Sequence, residues 1–203
     1  AENGLIYSKA ELGAISEFCR ANGLYLFIDG ARMGYGLQAE GCDVTLADLA
    51  RLSDAFYIGG TKAGALFGEA VVFSDKEMHR SFRYAIKQHG GMLAKGRLLG
   101  IQFQELLKGG DEGLYFSLAR HADTQAMRIR RSFEAKGVEM WNNSPTNMQF
   151  PLLTKAQQQS LAQEFVFEYW GKYDEQRDIV RFCTSWATRT EAVDALCSAI
   201  ARL

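Results

Sequence analysis

The run Leu24-Tyr25-Leu26-Phe27-Ile28-Asp29-Gly30 decides how this chain is read. Five consecutive apolar residues without alternation describe a strand buried on both faces, as in a parallel sheet covered by helices. The run ends in Asp-Gly, a turn pair. Ahead of it Ser8 is an N-cap and Glu11 completes a capping box. Leu12, Ile15, Phe18 and Cys19 then recur at helical spacing, and Gly23 stops the helix. Behind the run a helix is expected over 45–52. A second apolar run, Ala55-Phe56-Tyr57-Ile58, ends in Gly59-Gly60-Thr61-Lys62, and a third, Ala70-Val71-Val72-Phe73, ends at Ser74-Asp75. Helix, strand, helix, strand, strand is part of an α/β layered fold. Ligands of such folds bind beyond the carboxyl ends of the strands. Asp29 and Lys62 both stand at such ends.

From about 75 to 136 the pattern is mostly helical, with breaks at Gly90-Gly91 and Gly109-Gly110. Beyond it the texture changes. Short strands are expected at 138–141, 147–153, 165–169 and 179–184, with helices at about 155–163 and 190–203. This reads as a smaller α+β domain, which divides the chain near residues 110–120 into 1–112 and 113–203. Apolar residues make up 47% and charged residues 23% of the 203, the balance of an ordinary globular protein. With 24 acidic and 23 basic residues the net charge is -1, so no overall field draws the chain to nucleic acid or anionic lipid. No stretch approaches the roughly 20 apolar residues of a membrane helix, and the four cysteines form no C-x-x-C pair. A cytoplasmic protein with reduced thiols is the expectation.

The chemistry concentrates in two places. Gly59 to Gly68 holds one lysine among small and apolar residues. Poor solvation there favours the neutral amine, which forms a Schiff base with an aldehyde cofactor. A glycine-rich turn with a solvated lysine at its tip is the other reading. Asp29, ending an apolar strand, is expected to have little solvent around it and to need a partner. A protonated pyridine nitrogen would be one; capping the turn through Gly30 is the alternative. Arg32 adds a fixed positive charge at the same strand end, as a functional cation or as half of a surface ion pair. His79, His89 and His121 lack metal-site spacing, and only His89, before Gly90-Gly91, is a candidate neighbour of the site. Arg120, Arg128, Arg130 and Arg131 read as a solvated helix face.

Ile28-Asp29-Gly30-Ala31-Arg32 resembles the D-G-A-R motif of the L-threonine aldolase family, within the fold-type I pyridoxal-phosphate enzymes. Tyr57-Ile58-Gly59-Gly60-Thr61-Lys62 is similar to that family's lysine-bearing turn, and the separation of Asp29 from Lys62 suits one helix and one strand between them. Ile179-Val180-Arg181-Phe182-Cys183-Thr184, followed by a helix, resembles its late strand with an arginine. The resemblance implies that residues 1–112 are the C-terminal part of the large pyridoxal-phosphate-binding α/β domain and that 113–203 form the small C-terminal domain. It implies that Lys62 attaches pyridoxal 5'-phosphate, that Asp29 pairs with the ring nitrogen and that Ala31 lies against the ring. Arg32 would hold the cofactor or the substrate carboxylate, Thr61 would touch the phosphate or cofactor, and Arg181 would be a more distant carboxylate ligand. For Arg181 a strand-flanking role in solubility stays open.

The implied reaction cleaves a β-hydroxy-α-amino acid, of the threonine or allo-threonine type, to glycine and an aldehyde. Alternatives with the same residues are β-elimination and racemisation at Cα; a third is a catalytically incomplete fragment. The implied partners are a small amino acid and further copies of the chain, as a homodimer or homotetramer. Two departures stand out. Thr61 precedes the lysine where many members have serine, and His89-Gly90-Gly91-Met92-Leu93-Ala94 stands where they have Gly-Gly-Gly-Met-Arg-Gln. These point to altered substrate contacts. The family's phosphate-holding glycine-rich segment and ring-stacking aromatic are not found before Asp29, so the chain is expected to be the C-terminal portion of a longer protein.

Overall fold

The computed structural model describes residues 2–75 and 77–203. Helix α1 (Lys9–Ala21) begins where expected: Ser8 Oγ accepts from Glu11 N–H, and the Glu11 side chain accepts from Ser8 N–H. Leu12 is buried, whereas Phe18 faces solvent. Strand β1 (Phe27–Ile28) is shorter and more open than the five-residue run suggests. It is an outer strand, and Leu24, Tyr25 and Phe27 are exposed, so burial on both faces is not observed in this chain. The apolar run reports what the segment is suited to bury; the packed neighbours are on one side only.

After β1 comes a short helix the sequence pattern did not reveal, α2 (Met33–Gln38), rich in glycine. Helix α3 (Leu46–Leu52) follows behind the Thr45–Asp48 capping box. It leads into β2 (Ala55–Gly59), which pairs parallel with β1. Strand β3 (Glu69–Phe73) returns antiparallel, giving the order β1-β2-β3. Phe56 and Ile58 enter a core with Leu12, Met33, Leu49 and Phe103.

The helical stretch resolves into α4 (Phe82–Gln88), α5 (Arg97–Leu107), a 3-10 turn at Gly110–Glu112 and the long α6 (Leu114–Ala135). Lys76 lies outside the described residues. Helix α6 serves both halves: Tyr115 and Phe116 pack into the first core, Ile129 and Phe133 into the second.

The second sheet is antiparallel throughout. Strands β4 (Met148–Gln149) and β5 (Leu152–Thr154) pair with the later β7 (Arg177–Cys183), and β6 (Glu168–Lys172) pairs with it too. The expected strand 147–153 is split at Phe150-Pro151, because proline brings no N–H to the ladder. The expected strand 138–141 is reduced to a single bridge, Met140 to Pro151. Helix α7 (Lys155–Leu161) follows β5, and α8 (Thr190–Ala201) packs on α6. Among the described residues no helix is long and apolar enough to cross a membrane.

The sheet's geometry near β1 depends on Gly30. A Cβ there would sit 1.7 Å from the Tyr57 carbonyl oxygen. Gly30→Ala is therefore expected to cost about 3 kcal/mol or more in chemical denaturation, as overpacking against backbone cannot relax cheaply. Gly13→Ala, in open space within α1, is the control and should stabilise by roughly 0.5–1 kcal/mol. Equal effects of the two would refute the close-approach argument.

Candidate functional site

Parallel register sets the first pair. Phe27 lies opposite Ala55 and Ile28 opposite Phe56, so the next position brings Asp29 beside Tyr57. The Tyr57 hydroxyl donates to Asp29 Oδ1, and the Ala31 N–H donates to the same oxygen at 3.0 Å. These two bonds, the tyrosine's first, hold the carboxyl below the usual carboxylate range. The Tyr57 phenol is pushed up to about 12 by burial and by its carboxylate partner. Asp29 Oδ2 takes no hydrogen bond among the described residues. Asp29 is exposed, contrary to the expectation of a dry strand end, because β1 has no neighbour on its outer side.

Lys62 stands on the turn after β2. Gly60 is the hub of that turn: its carbonyl accepts from Ala63 N–H (2.9 Å) and Ala65 N–H (3.0 Å), and its N–H donates to Glu69 Oε2 (2.8 Å). Ala63 and Ala65 thereby turn into the core, while Thr61 and Lys62 turn outward and are exposed. The expected poor solvation of Lys62 is not observed in this chain; the apolar neighbours bury themselves instead of shielding the amine. Two buried tyrosines fix the turn from below. The Tyr35 hydroxyl donates to the Lys62 carbonyl. The Tyr115 hydroxyl donates to Gly59 O (3.0 Å) and accepts from Gly34 N–H (3.1 Å). Burial raises both phenols, Tyr35 to about 12. The positive charge of Lys62 reaches Asp29 and contributes to lowering its carboxyl.

Arg32 is half-buried and forms no ion pair among the described residues. With Asp29 it lines a cavity of about 140 Å³, walled otherwise by apolar groups such as Ile6, Met33 and Met148. Arg181 is placed differently. It pairs with Glu168, its guanidinium lies 4.7 Å from the Trp170 ring centroid, and Nη1 is 3.9 Å from Met148 Sδ. It thus meets the cavity wall through Met148 and has no recorded bond to Asp29, Arg32 or Lys62. His121 Nε2 lies 2.8 Å from Thr188 O, and His89 caps α4 in solvent. Of the α6 arginines, Arg120 and Arg128 are ion-paired on the surface, whereas Arg130, largely buried, pairs with Glu134 and donates to the Asn142 carbonyl. Among the described residues no group of three His, Cys, Asp or Glu is arranged to hold a metal.

Sequence reasoning did not single out Tyr57, Tyr35 or Tyr115. A signal was available for the first: a tyrosine near the carboxyl end of an otherwise apolar strand needs a partner for its hydroxyl. Nor did it notice Asp123. This α6 carboxyl is buried with no hydrogen bond to either oxygen, and desolvation pushes it up to about 8. Thr184 Oγ1 donates to the neighbouring Ala122 carbonyl, and Asn147 N–H approaches Asp123, so the carboxyl lies where α6 meets β4 and β7.

Comparison with known proteins identifies the fold and the family. The solved chain of Leishmania major threonine aldolase superposes with a TM-score of 0.95 at 40% identity, over 100% of this chain and 58% of that one. Sphingomonas wittichii serine palmitoyltransferase superposes with a TM-score of 0.64 at 13% identity, over 94% and 50% of the two chains, a likeness of fold alone. The fold is that of the fold-type I pyridoxal-phosphate enzymes. The family model for beta-eliminating lyases matches residues 1–156, and the chain belongs to that family. Low specificity L-threonine aldolase of a Pseudomonas species is 33% identical over 155 residues, which are 71% of this chain and 44% of that protein. Its Pseudomonas aeruginosa counterpart is 33% identical over 122 residues, 60% of this chain and 34% of that protein. The chain thus spans less than half the length of these relatives.

Asp123 generates a pH prediction. Its folded pKa lies above the unfolded value near 3.9, so the folded state binds the extra proton and stability falls as pH rises from about 4 through about 8. Asp123→Asn should abolish that slope and gain roughly 1–3 kcal/mol at pH 9 relative to pH 5, the scale of a buried unsatisfied group. Denaturation curves at the two pH values test this; a parallel shift at both would refute it.

Proposed function

We propose that this chain is part of a pyridoxal-phosphate-dependent carbon–carbon lyase that cleaves a β-hydroxy-α-amino acid to glycine and an aldehyde. The observation that carries the reading is the convergence at one sheet end of three groups. They are an ionised Asp29 with an open Oδ2, a half-buried Arg32 without an ion pair, and Lys62 on the adjoining turn. The residues present fit the cofactor: an aldehyde needs an amine, a ring nitrogen needs a carboxylate, and an anionic group needs an unpaired cation. Threonine aldolases at 33% and 40% identity support the substrate class.

Lys62 Nζ would hold the cofactor covalently. Asp29 would keep a proton on the ring nitrogen, since an ionised carboxylate there favours the N–H form. When bound, the cofactor supplies an electron sink for the bond broken at the substrate's Cα. Arg32 would take a phosphate or carboxylate through its planar fork. Ala31, whose N–H already fixes Asp29, would present its small side chain to the ring, and Thr61 would be a neighbouring polar contact. Arg181 would act as a carboxylate ligand only after exchanging Glu168 for it. We place the division between the large and small domains at 112/113, supported by the start of α6 at Leu114. Exposed Phe18, Leu24, Tyr25 and Phe27 support assembly into a homodimer or homotetramer, and four free cysteines support a reducing, cytoplasmic setting.

The decisive experiment is an absorbance spectrum with added pyridoxal phosphate. The full-length protein should develop the visible band of a lysine-bound cofactor, and Lys62→Ala in it should lose the band. Arg32→Ala should weaken cofactor or substrate binding by about 1.5–3 kcal/mol, the range for hydrogen bonds to charged groups. Product analysis with threonine and allo-threonine should yield glycine. The four-carbon 2-oxo acid with ammonia instead would transfer the assignment to β-elimination, which the family's description also allows. No band in the unmutated full-length protein would overturn the enzyme reading.

A further inference from the structure

Asp29 is held more tightly than a turn requires. The Ala31 N–H alone, bonding two residues back to Oδ1, completes the turn after β1. The Tyr57 hydroxyl adds a second donor to that same oxygen, from a different strand. Resting on the cofactor reading above, we propose that Tyr57 is a positioning residue. By occupying Oδ1 together with Ala31, it makes Asp29 a one-sided acceptor whose Oδ2 alone is left for the ring N–H.

The supports are independent of one another. The parallel register ends at Ile28 opposite Phe56, so Asp29 and Tyr57 each follow the last paired residue of their strands and the contact does not depend on a long reach. Tyr57 is itself confined: Phe56 and Ile58 on either side point into the core, and its ring packs 6.0 Å from that of Phe27. Removal of the O–H takes one of the two donors from Oδ1 and leaves the carboxylate held by the Ala31 N–H alone. A carboxylate with two donors on one oxygen resists protonation, and burial together with the same bond keeps the Tyr57 phenol neutral far above neutral pH. A donor that cannot be lost to ionisation suits a group that must stay fixed while its partner carries a charge.

The test reads Asp29 directly, with no cofactor present. The Asp29 carboxyl is titrated by carbon-13 NMR, its signal assigned by its loss in Asp29→Asn, and the titration is repeated in Tyr57→Phe. The midpoint is expected to rise by about one unit, a tenfold gain in proton affinity, with circular dichroism confirming the fold. An unchanged midpoint in folded Tyr57→Phe overturns the proposal, whatever the cofactor does. Equilibrium binding of pyridoxal phosphate supplies the second readout. Tyr57→Phe should weaken it about tenfold, and should have no further effect once Asp29→Asn is in place. Independent, additive losses would overturn the proposal, since Tyr57 would then act other than through Asp29. A shifted midpoint in a full-length protein that binds no pyridoxal phosphate would leave the Tyr57–Asp29 linkage standing and sink the cofactor reading instead.

Discussion

The approach of the chain after β1 to the end of β2 is the constraint from which the site follows. Gly59 N–H donates to Gly30 O at 2.9 Å, and neither glycine has room for a Cβ: Gly30 would strike the Tyr57 carbonyl and Gly59 the carbonyls of Gly30 and Ala31. Two backbones this close bring the Asp29 and Lys62 segments to one place although two helices and a strand separate them in sequence. Glycine is used here for its missing side chain, which is the condition for the two backbones to touch.

What holds that approach in place comes from the far half of the chain. Tyr115, fully buried at the start of α6, bonds both Gly59 on β2 and Gly34 on α2. Its helix then runs on to carry Ile129 and Phe133 in the second core. The polar groups on that path are expensive to bury and so must be satisfied; Asp123, which is not, stands out for that reason. The same logic explains why Tyr35, at 1% exposure, spends its hydroxyl on the Lys62 carbonyl.

Solvent exposure at the site is a matter of what lies beside it. Asp29, Thr61 and Lys62 are exposed, and β1 presents Phe27 outward on an edge. An open apolar edge strand calls for a covering surface. The orienting bonds on Asp29 and the turn under Lys62 are nonetheless complete within the chain, so the groups are preorganised before anything is added.

The local pattern by itself determined helix α1, through the Ser8 capping box, the helix over 45–52, and the strand ends that carry Asp29 and Lys62. All depend on interactions within a few residues, which a linear sequence displays. The second sheet was only partly legible: strand β6 begins three residues later than expected and the 147–153 run breaks at Pro151, because strands draw their hydrogen bonds from distant partners. Only the tertiary structure decided that Tyr57 stands opposite Asp29, that Tyr115 and Tyr35 brace the lysine turn, and that Arg181 faces Glu168 and Trp170. It also decided that the most apolar run of the sequence lies on an edge. Register, burial and ion pairing are properties of what packs alongside, and no residue carries that information in its own type.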